Sequence, residues 1–210
     1  MTAKANKNFE HAIELLKEIG LLLVTGSEIP DVCRLVTGKP SKGSWWSNPS
    51  AHQIFAVNEA LADHADVTLT KLVSNKVTFI HRSLWHRLFA VATERGEWQL
   101  SKLSSEAGLL LAELDEKTTL LSTDLDKRFG PKPGDTVREL ELRLLIHTDQ
   151  IHTDKGTHAK ILETWEAWAK RIALKPKPME PATAQRFFET RVSEINQRYV
   201  GKGRLPWQPK

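Results

Sequence analysis

The segment from residue 104 to residue 163 constrains the fold of this 210-residue chain more than any other part. Ser104 is placed to cap a helix whose leucines recur at helical spacing, and residues 118–121 follow as a short extended piece. Ser122 is placed to cap a second, shorter helix, which ends in a turn rich in glycine and proline. A third amphipathic helix and two extended pieces joined around Lys155 complete the segment. Helix, strand, helix, turn, helix and hairpin in this order predict a winged helix-turn-helix domain.

The chain before this segment is predicted to form a compact α+β region. Amphipathic helices alternate there with a β-hairpin, since residues 67–73 are rich in β-branched side chains and residues 77–81 return after a short turn. We therefore predict a helix-rich α+β fold in which the α+β region precedes the winged helix-turn-helix domain. The predicted domains are an N-terminal α+β domain (1–98), a winged helix-turn-helix domain (99–174) and a basic, proline-containing C-terminal extension with one helix (175–210).

Charge is distributed unevenly along the chain. The formal net charge is +4 overall, with +1 in residues 1–100, −4 in residues 101–166 and +7 in residues 167–210. The basic character therefore belongs to the C-terminal segment, which favours phosphate contacts there rather than across the whole molecule. We expect DNA as a partner, with a protein partner as the alternative.

Composition excludes several classes of protein. The purely apolar runs, among them residues 21–24, are all far too short to span a bilayer, and the N-terminus lacks the layout of a signal peptide. Cys33 is the single cysteine, so neither an internal disulfide nor a multi-cysteine zinc site can form. A cytoplasmic location without membrane contact is the expectation. Because phosphate-binding, dinucleotide-binding and nucleophile-elbow motifs are absent from the sequence, we predict no cofactor and identify no catalytic residue.

The third helix of the winged segment would normally read the major groove. Arg138 and Arg143 are its candidate DNA contacts. Glu139 and Glu141 are expected on the same exposed surface, where their carboxylates would oppose phosphates. The alternative is that this helix packs on a neighbouring domain or a protein partner.

Other candidate nucleic-acid contacts lie in the wing and in the C-terminal segment. Lys155 is at the predicted wing tip, where it can reach a phosphate or a minor groove. The cations of the C-terminal segment are expected to contact phosphates and are Lys175, Lys177, Arg186, Arg191, Arg198, Lys202 and Arg204. His147, His152 and His158 raise the question of a metal, but without a convergent ligand set we predict polar wing residues and no metal site.

A tryptophan-containing loop is the candidate cleft of the N-terminal domain. Its residues come from the loop and from the neighbouring hairpin, and they are Trp45, Trp46, His52, Lys76, His81 and Arg82. A large apolar pair is costly to leave in water, so one tryptophan is expected to pack on the domain as a structural corner. The alternative is a platform on which a base stacks.

The layout resembles small bacterial winged-helix proteins related to the DNA glycosylases that unhook crosslinks. The resemblance covers about residues 10–166. It is carried by EIGLLLVTGSEIPDVCRLV, by TKLVSNKVTFIHRSLWHRLFAVA, and by the stretch from LSSEAGLLLAELDEKTTLLSTDLDKRF to HAKILETW. It implies stacked winged helices and a catalytic glutamine followed two positions later by a polar residue. The nearest match is Gln150-Ile151-His152 inside the predicted first wing strand, which departs from that pattern.

These observations support three functions. The leading hypothesis is a winged-helix nucleic-acid-binding protein accessory to DNA repair or transcription. The first alternative is an enzyme acting on nucleic acid, similar to a DNA glycosylase, with the tryptophan and histidine cleft as its site. The second alternative is a protein–protein adaptor that uses the acidic winged domain.

Overall fold

The computed structural model of the chain describes residues 3–39, 44–152 and 158–208. It is a helix-rich α+β protein, as predicted. No helix within these residues has both the length and the apolar composition needed to cross a membrane. The chain forms two compact units, one containing the chain up to Trp85 together with Gln185–Gln208, the other containing His86–Ala184.

The elements follow one another with short connections. Within the described residues the helices are α1 (Ala3–Ile19), α2 (Val32–Thr37), α3 (Ala51–Ala62), α4 (Trp85–Ala92), α5 (Glu97–Leu100), α6 (Ser105–Lys117), α7 (Pro133–Leu142), α8 (Trp165–Arg171) and α9 (Pro181–Tyr199). The strands are β1 (Leu21–Leu23), β2 (Val67–Val73), β3 (Lys76–His81), β4 (Thr119–Leu121), β5 (His147–His152) and β6 (His158–Glu163).

The first unit is built on an antiparallel sheet of order β1-β3-β2. Ser74 and Asn75 both have positive φ, which gives the β2–β3 turn the twist that a two-residue hairpin needs. Gly20 follows α1 with φ +81, and this left-handed conformation ends the helix. The apolar faces of α1 and α3 pack on this sheet around Leu16, Val57 and Phe79, and all three side chains are fully buried.

The C-terminal segment completes the first unit. The apolar face of α9, formed by Phe188, Val192 and Ile195, is buried. Beyond α9, the N–H of Lys202 donates to the carbonyl of Glu28 at 2.8 Å. These contacts place Gln185–Gln208 within the first unit, whereas its composition had suggested a separate extension.

The second unit contains an antiparallel sheet of order β4-β6-β5. Helices α6 and α7 enclose its core, in which Leu110, Leu114, Leu140 and Leu162 are fully buried. The first and third predicted helices and the predicted hairpin are present, and Ser104 caps α6 by accepting a hydrogen bond from the N–H of Ala107 at 3.2 Å.

Two details of the second unit differ from the sequence-based expectation. The short helix expected after Ser122 is instead a pair of 3-10 turns, Ser122–Asp124 and Lys127–Phe129, because Asp126 has extended backbone angles and interrupts the helix. The third helix, α7, begins at Pro133 and ends at Leu142, since Leu144 has φ +52 and cannot continue it.

Candidate nucleic-acid interface

Helix α7 directs its two central carboxylates into the second unit. Glu139 is partly buried and accepts hydrogen bonds from the N–H (3.0 Å) and the hydroxyl (2.7 Å) of Ser104. Glu141 is 4% exposed and accepts from the Thr148 hydroxyl at 2.6 Å and from the Lys160 ammonium. The expectation that both carboxylates oppose phosphates from the helix surface is therefore wrong. They instead link α7 to the start of α6 and to the sheet.

The guanidinium of Arg143 is hydrogen-bonded to backbone carbonyls of its own unit. Its guanidinium donates to the carbonyl oxygens of Trp98 (3.2 Å), Gln99 (3.0 Å), Ser101 (2.7 Å) and Lys102 (3.2 Å). These carbonyls belong to the end of α5 and the turn that follows it. The arginine thus supplies the donors that this helix end lacks.

Arg138 is the arginine of α7 that faces solvent. It is exposed and makes no hydrogen bond or ion pair with any residue in the described ranges. Lys132, at the N-terminal end of the same helix, is also exposed. With Glu139 and Glu141 turned inward, these two cations stand on the outer surface of α7 with Asp135 as the exposed acid near them.

The predicted wing corresponds to the antiparallel pair β5 and β6. Gln150 lies directly opposite Lys160 in this pair, and the backbone of His152 is opposite that of His158. The glutamine of the Gln150-Ile151-His152 triplet is therefore an exposed strand residue. Lys155 and the side chains of the two histidines lie outside the described residues.

A buried polar network lies at the end of the β5–β6 pair where His147 is opposite Glu163. Nδ1 of His147 lies 2.9 Å from Oε1 of Glu163, and Nη2 of Arg171 donates to the same oxygen at 2.6 Å. Burial alone would raise the pKa of Glu163, but the hydrogen bonds from His147 and Arg171 hold it below its ordinary value. Trp165 and Trp168 enclose the imidazole, with ring centroids 5.3 and 5.5 Å away. In the part of the chain that the structure describes, no three His, Cys, Asp or Glu side chains are grouped so that they could hold a metal ion.

The cations of the C-terminal segment fall into two groups. Lys175 and Lys177 lie in the second unit and are exposed, without an ion pair to any described residue. Arg186 and Arg191 lie on α9 in the first unit. Arg186 is exposed, whereas Arg191 pairs with Glu194 at 3.5 Å and lies over the ring of Phe187.

The tryptophan loop of the first unit presents an aromatic surface. The rings of Trp45 and Trp46 are stacked with centroids 3.9 Å apart and an interplanar angle of 25°. The Phe55 ring lies 5.7 Å from that of Trp46. Trp45 is partly buried, whereas Trp46 is 61% exposed and Phe55 is 41% exposed. His52 is exposed on the same helix as Phe55.

The other residues of the predicted cleft do not form one cluster. Lys76 and His81 stand at opposite ends of β3, which separates them by about 17 Å at the usual rise per residue. Lys76 pairs with Glu28 at 3.2 Å, and Arg82 pairs with Asp66 at 2.8 Å. Partial burial lowers the pKa of His81 below its ordinary value, against the raising effect of Asp66.

Two functional candidates were not identified from the sequence. Phe55 lies off the buried face of α3, which is formed by Ile54, Val57, Asn58 and Leu61. The sequence did contain a signal for Phe55, because it is a large aromatic residue outside that buried face. Lys132 was missed because the apolar periodicity of the third helix starts at Val137 in the sequence, whereas α7 begins at Pro133.

Comparison with known proteins gives a match to a protein family. A family model described as "AlkZ related" matches residues 6–202. No curated protein matches the chain, and no solved structure does.

Proposed function

Since the chain belongs to the AlkZ-related family, we propose that it is a DNA-binding protein with a role in DNA repair. AlkZ itself is a glycosylase that repairs DNA crosslinks. The matched region covers both units, so the proposal concerns the whole chain rather than one of its parts.

The observation that carries the proposal is the arrangement of α7 and the wing. Helix α7 directly precedes the β5–β6 hairpin, and the sheet has the order β4-β6-β5. We propose that the second unit is a winged helix-turn-helix domain, in which the helix before the wing enters the major groove. The inward direction of Glu139 and Glu141 supports this, because it removes two negative charges from the surface that would meet DNA.

Phosphate contacts in this proposal come from the exposed cations of the second unit. Lys132, Arg138, Lys175 and Lys177 are each exposed. Each cation that neutralises a phosphate releases counterions, which makes binding depend on salt. Residues 101–166 carry a net charge of −4, so we expect moderate affinity with little sequence discrimination.

Catalysis is not part of the proposal. The candidate cleft for an enzyme required Lys76, His81 and the tryptophans to converge, and the two hairpin residues stand at opposite ends of β3. Gln150 stands opposite Lys160 on strand β5 and is exposed.

A salt series of DNA-binding measurements tests the proposal. The full chain is titrated into a labelled duplex, and fluorescence anisotropy is recorded at several salt concentrations. Arg138→Gln should weaken binding several-fold and reduce the slope of log affinity against log salt by about one. Removal of Lys175 and Lys177 together should reduce the slope by about two.

Arg128→Gln is the matched control. Arg128 is also an exposed arginine of the second unit, but it is neutralised by Asp126 at 2.9 Å. Its replacement should leave both affinity and slope close to those of the original protein. Equal affinities for the original chain and for Arg138→Gln would contradict the proposed role of α7. Point substitutions are preferable to truncation, since removal of the C-terminal segment would take α9 out of the first unit.

A further inference from the structure

We propose that Trp46, supported by Trp45 and flanked by Phe55, is a stacking platform for an unpaired nucleobase. The inference rests on the proposed DNA-binding function and adds to it a second class of ligand, single-stranded nucleic acid. It assigns a role to the first unit, which the winged-helix proposal leaves without one.

The exposure of Trp46 is the first observation. Trp165 and Trp168 are each 1% exposed and Trp85 is 7% exposed, as expected for large apolar rings. Trp46 is instead 61% exposed although one of its faces lies on Trp45. An indole covered on both faces could not retain that exposure, so a broad ring surface remains open. Phe55 extends this surface, because its own ring is 41% exposed at 5.7 Å.

The rigidity of the loop is the second observation. The Ser47 hydroxyl donates to the carbonyl of Ser44 at 2.8 Å, and the N–H of Asn48 donates to the carbonyl of Trp45 at 3.1 Å. The Asn48 side chain accepts from the N–H of Ser50 at 2.9 Å, just before α3 begins. These bonds hold the tryptophan backbone in a 3-10 turn. A platform that is already ordered loses little conformational entropy when a base stacks on it.

The charge of the stretch of sequence that contains the platform is the third observation, with the exposed Glu59 one helical turn beyond Phe55 at its end. No acidic residue occurs in the sequence between Asp31 and Glu59, the part of the chain that contains the platform. Arg34 and Lys39 in this stretch are exposed, as is His52 in the first turn of α3. An aromatic surface in a stretch without carboxylates suits a ligand that combines flat rings with negative charge.

The chemistry of that ligand favours an unpaired base. In a duplex both faces of each base are covered by neighbouring bases, whereas a single strand offers open faces. Stacking on an aromatic side chain tolerates any base, because every base has a π-face. The platform therefore distinguishes strands that have accessible bases from strands that have only a sugar-phosphate backbone.

A comparison of two oligonucleotides tests this directly. The full chain is titrated with a labelled oligothymidylate and with an abasic oligonucleotide of equal length and charge. The original protein should prefer the thymidylate. Trp46→Ala should lose about tenfold in affinity for the thymidylate and nothing for the abasic strand. Trp46→Phe should retain most of the affinity, since phenylalanine still offers a ring.

Controls separate stacking from folding. Leu109→Ala removes another exposed apolar side chain, 57% exposed in the second unit, and should leave both affinities unchanged. Trp46→Ala should melt close to the original temperature, because its ring is mostly exposed. An equal loss on both strands with a lower melting temperature would show a structural corner and overturn the inference. Self-association of the original chain that is lost in Trp46→Ala, with unchanged affinity for both oligonucleotides, would also overturn the inference.

The remaining outcomes distinguish this inference from the proposed function. If duplex binding persists while Trp46→Ala binds the thymidylate like the original chain, the platform is overturned and the proposed function stands. If the original protein binds neither duplex nor single strand, the proposed function fails and the platform fails with it.

Discussion

The guanidinium of Arg143 lies 2.7 Å from the carbonyl oxygen of Ser101, 42 residues away in the chain. This bond and its companions to Trp98, Gln99 and Lys102 close the end of α5. Arg143→Ala should lower the free energy of unfolding by about 2–4 kcal/mol, since several carbonyls lose a charged donor.

Urea unfolding measures that loss, and Arg143→Lys is its matched variant. Lysine keeps the charge but not the planar fork, so it should recover only part of the stability. DNA affinity of the folded Arg143→Lys protein should equal that of the original chain. A selective loss of DNA affinity with unchanged stability would show that Arg143 contacts DNA instead.

Asp31 makes the stability of the first unit depend on pH. Its side chain is 1% exposed, and Oδ2 is buried without a hydrogen-bond partner in the described part of the chain. Burial raises its pKa from 3.8 to about 6, against the lowering effects of the Arg34 and Cys33 amides and the charges of Arg34 and Lys76. The folded state therefore holds this proton more tightly than the unfolded state does.

The stability that Asp31 contributes is fully present below pH 3.8 and is lost as pH rises through about 6. Asp31→Asn cannot ionise and retains an oxygen to accept the Arg34 N–H bond. The stability of the variant relative to the original should increase by about 2–2.5 kcal/mol between pH 4 and pH 7. Urea unfolding across this range is the measurement. The exposed Asp124→Asn is the control, and a constant difference for Asp31→Asn would contradict the assignment.

A glycine is required at position 201 because the C-terminal segment passes close to the backbone of Glu28. A Cβ atom at this position would lie 2.3 Å from the carbonyl oxygen of Glu28. That oxygen already accepts the N–H of Lys202 at 2.8 Å. Gly201→Ala should therefore lower the free energy of unfolding by about 2–3 kcal/mol, as measured by thermal or urea unfolding.

Gly108 provides the opposite control. It lies in the interior of α6, where an added Cβ would meet no atom within 4 Å. Gly108→Ala should raise stability by about 0.5–1 kcal/mol, because alanine favours the helix. Similar effects of the two substitutions would contradict the packing described for Gly201.

The contributions of Glu141 and Lys160 to the free energy of unfolding should be coupled. Glu141 is buried, whereas Lys160 retains 41% of its side-chain exposure. Lys160→Met should cost about 2–4 kcal/mol, because it leaves a buried carboxylate with the Thr148 hydroxyl but without its cation. Addition of Glu141→Gln should recover part of that loss. A double-mutant cycle on unfolding free energies measures the coupling, and strictly additive effects would disprove it.

Local patterns predicted most of the elements but few of the side-chain partners. The β2–β3 hairpin and α6 follow from alternation, turn residues and a cap within short stretches of sequence. The partners of Arg143 and Glu139 lie 35 to 45 residues away, so no local pattern contains them. The direction in which the Arg143 and Glu139 side chains point depends on where α7 begins and on the turn after α5. Exposure of Trp46 likewise depends on which surface α3 presents, which periodicity alone does not decide.

The bonds of Lys202 and Arg204 to Glu28 and Ser74 have a consequence for synthesis of the chain. The second unit is one continuous stretch, whereas the first is divided between the two ends of the sequence. During translation, His86–Ala184 is synthesised before Gln185–Gln208, the segment that completes the first unit. We expect the second unit to have all of its sequence first, whereas the first unit keeps its apolar surface for Phe188 and Leu205 uncovered until Gln185–Gln208 has emerged.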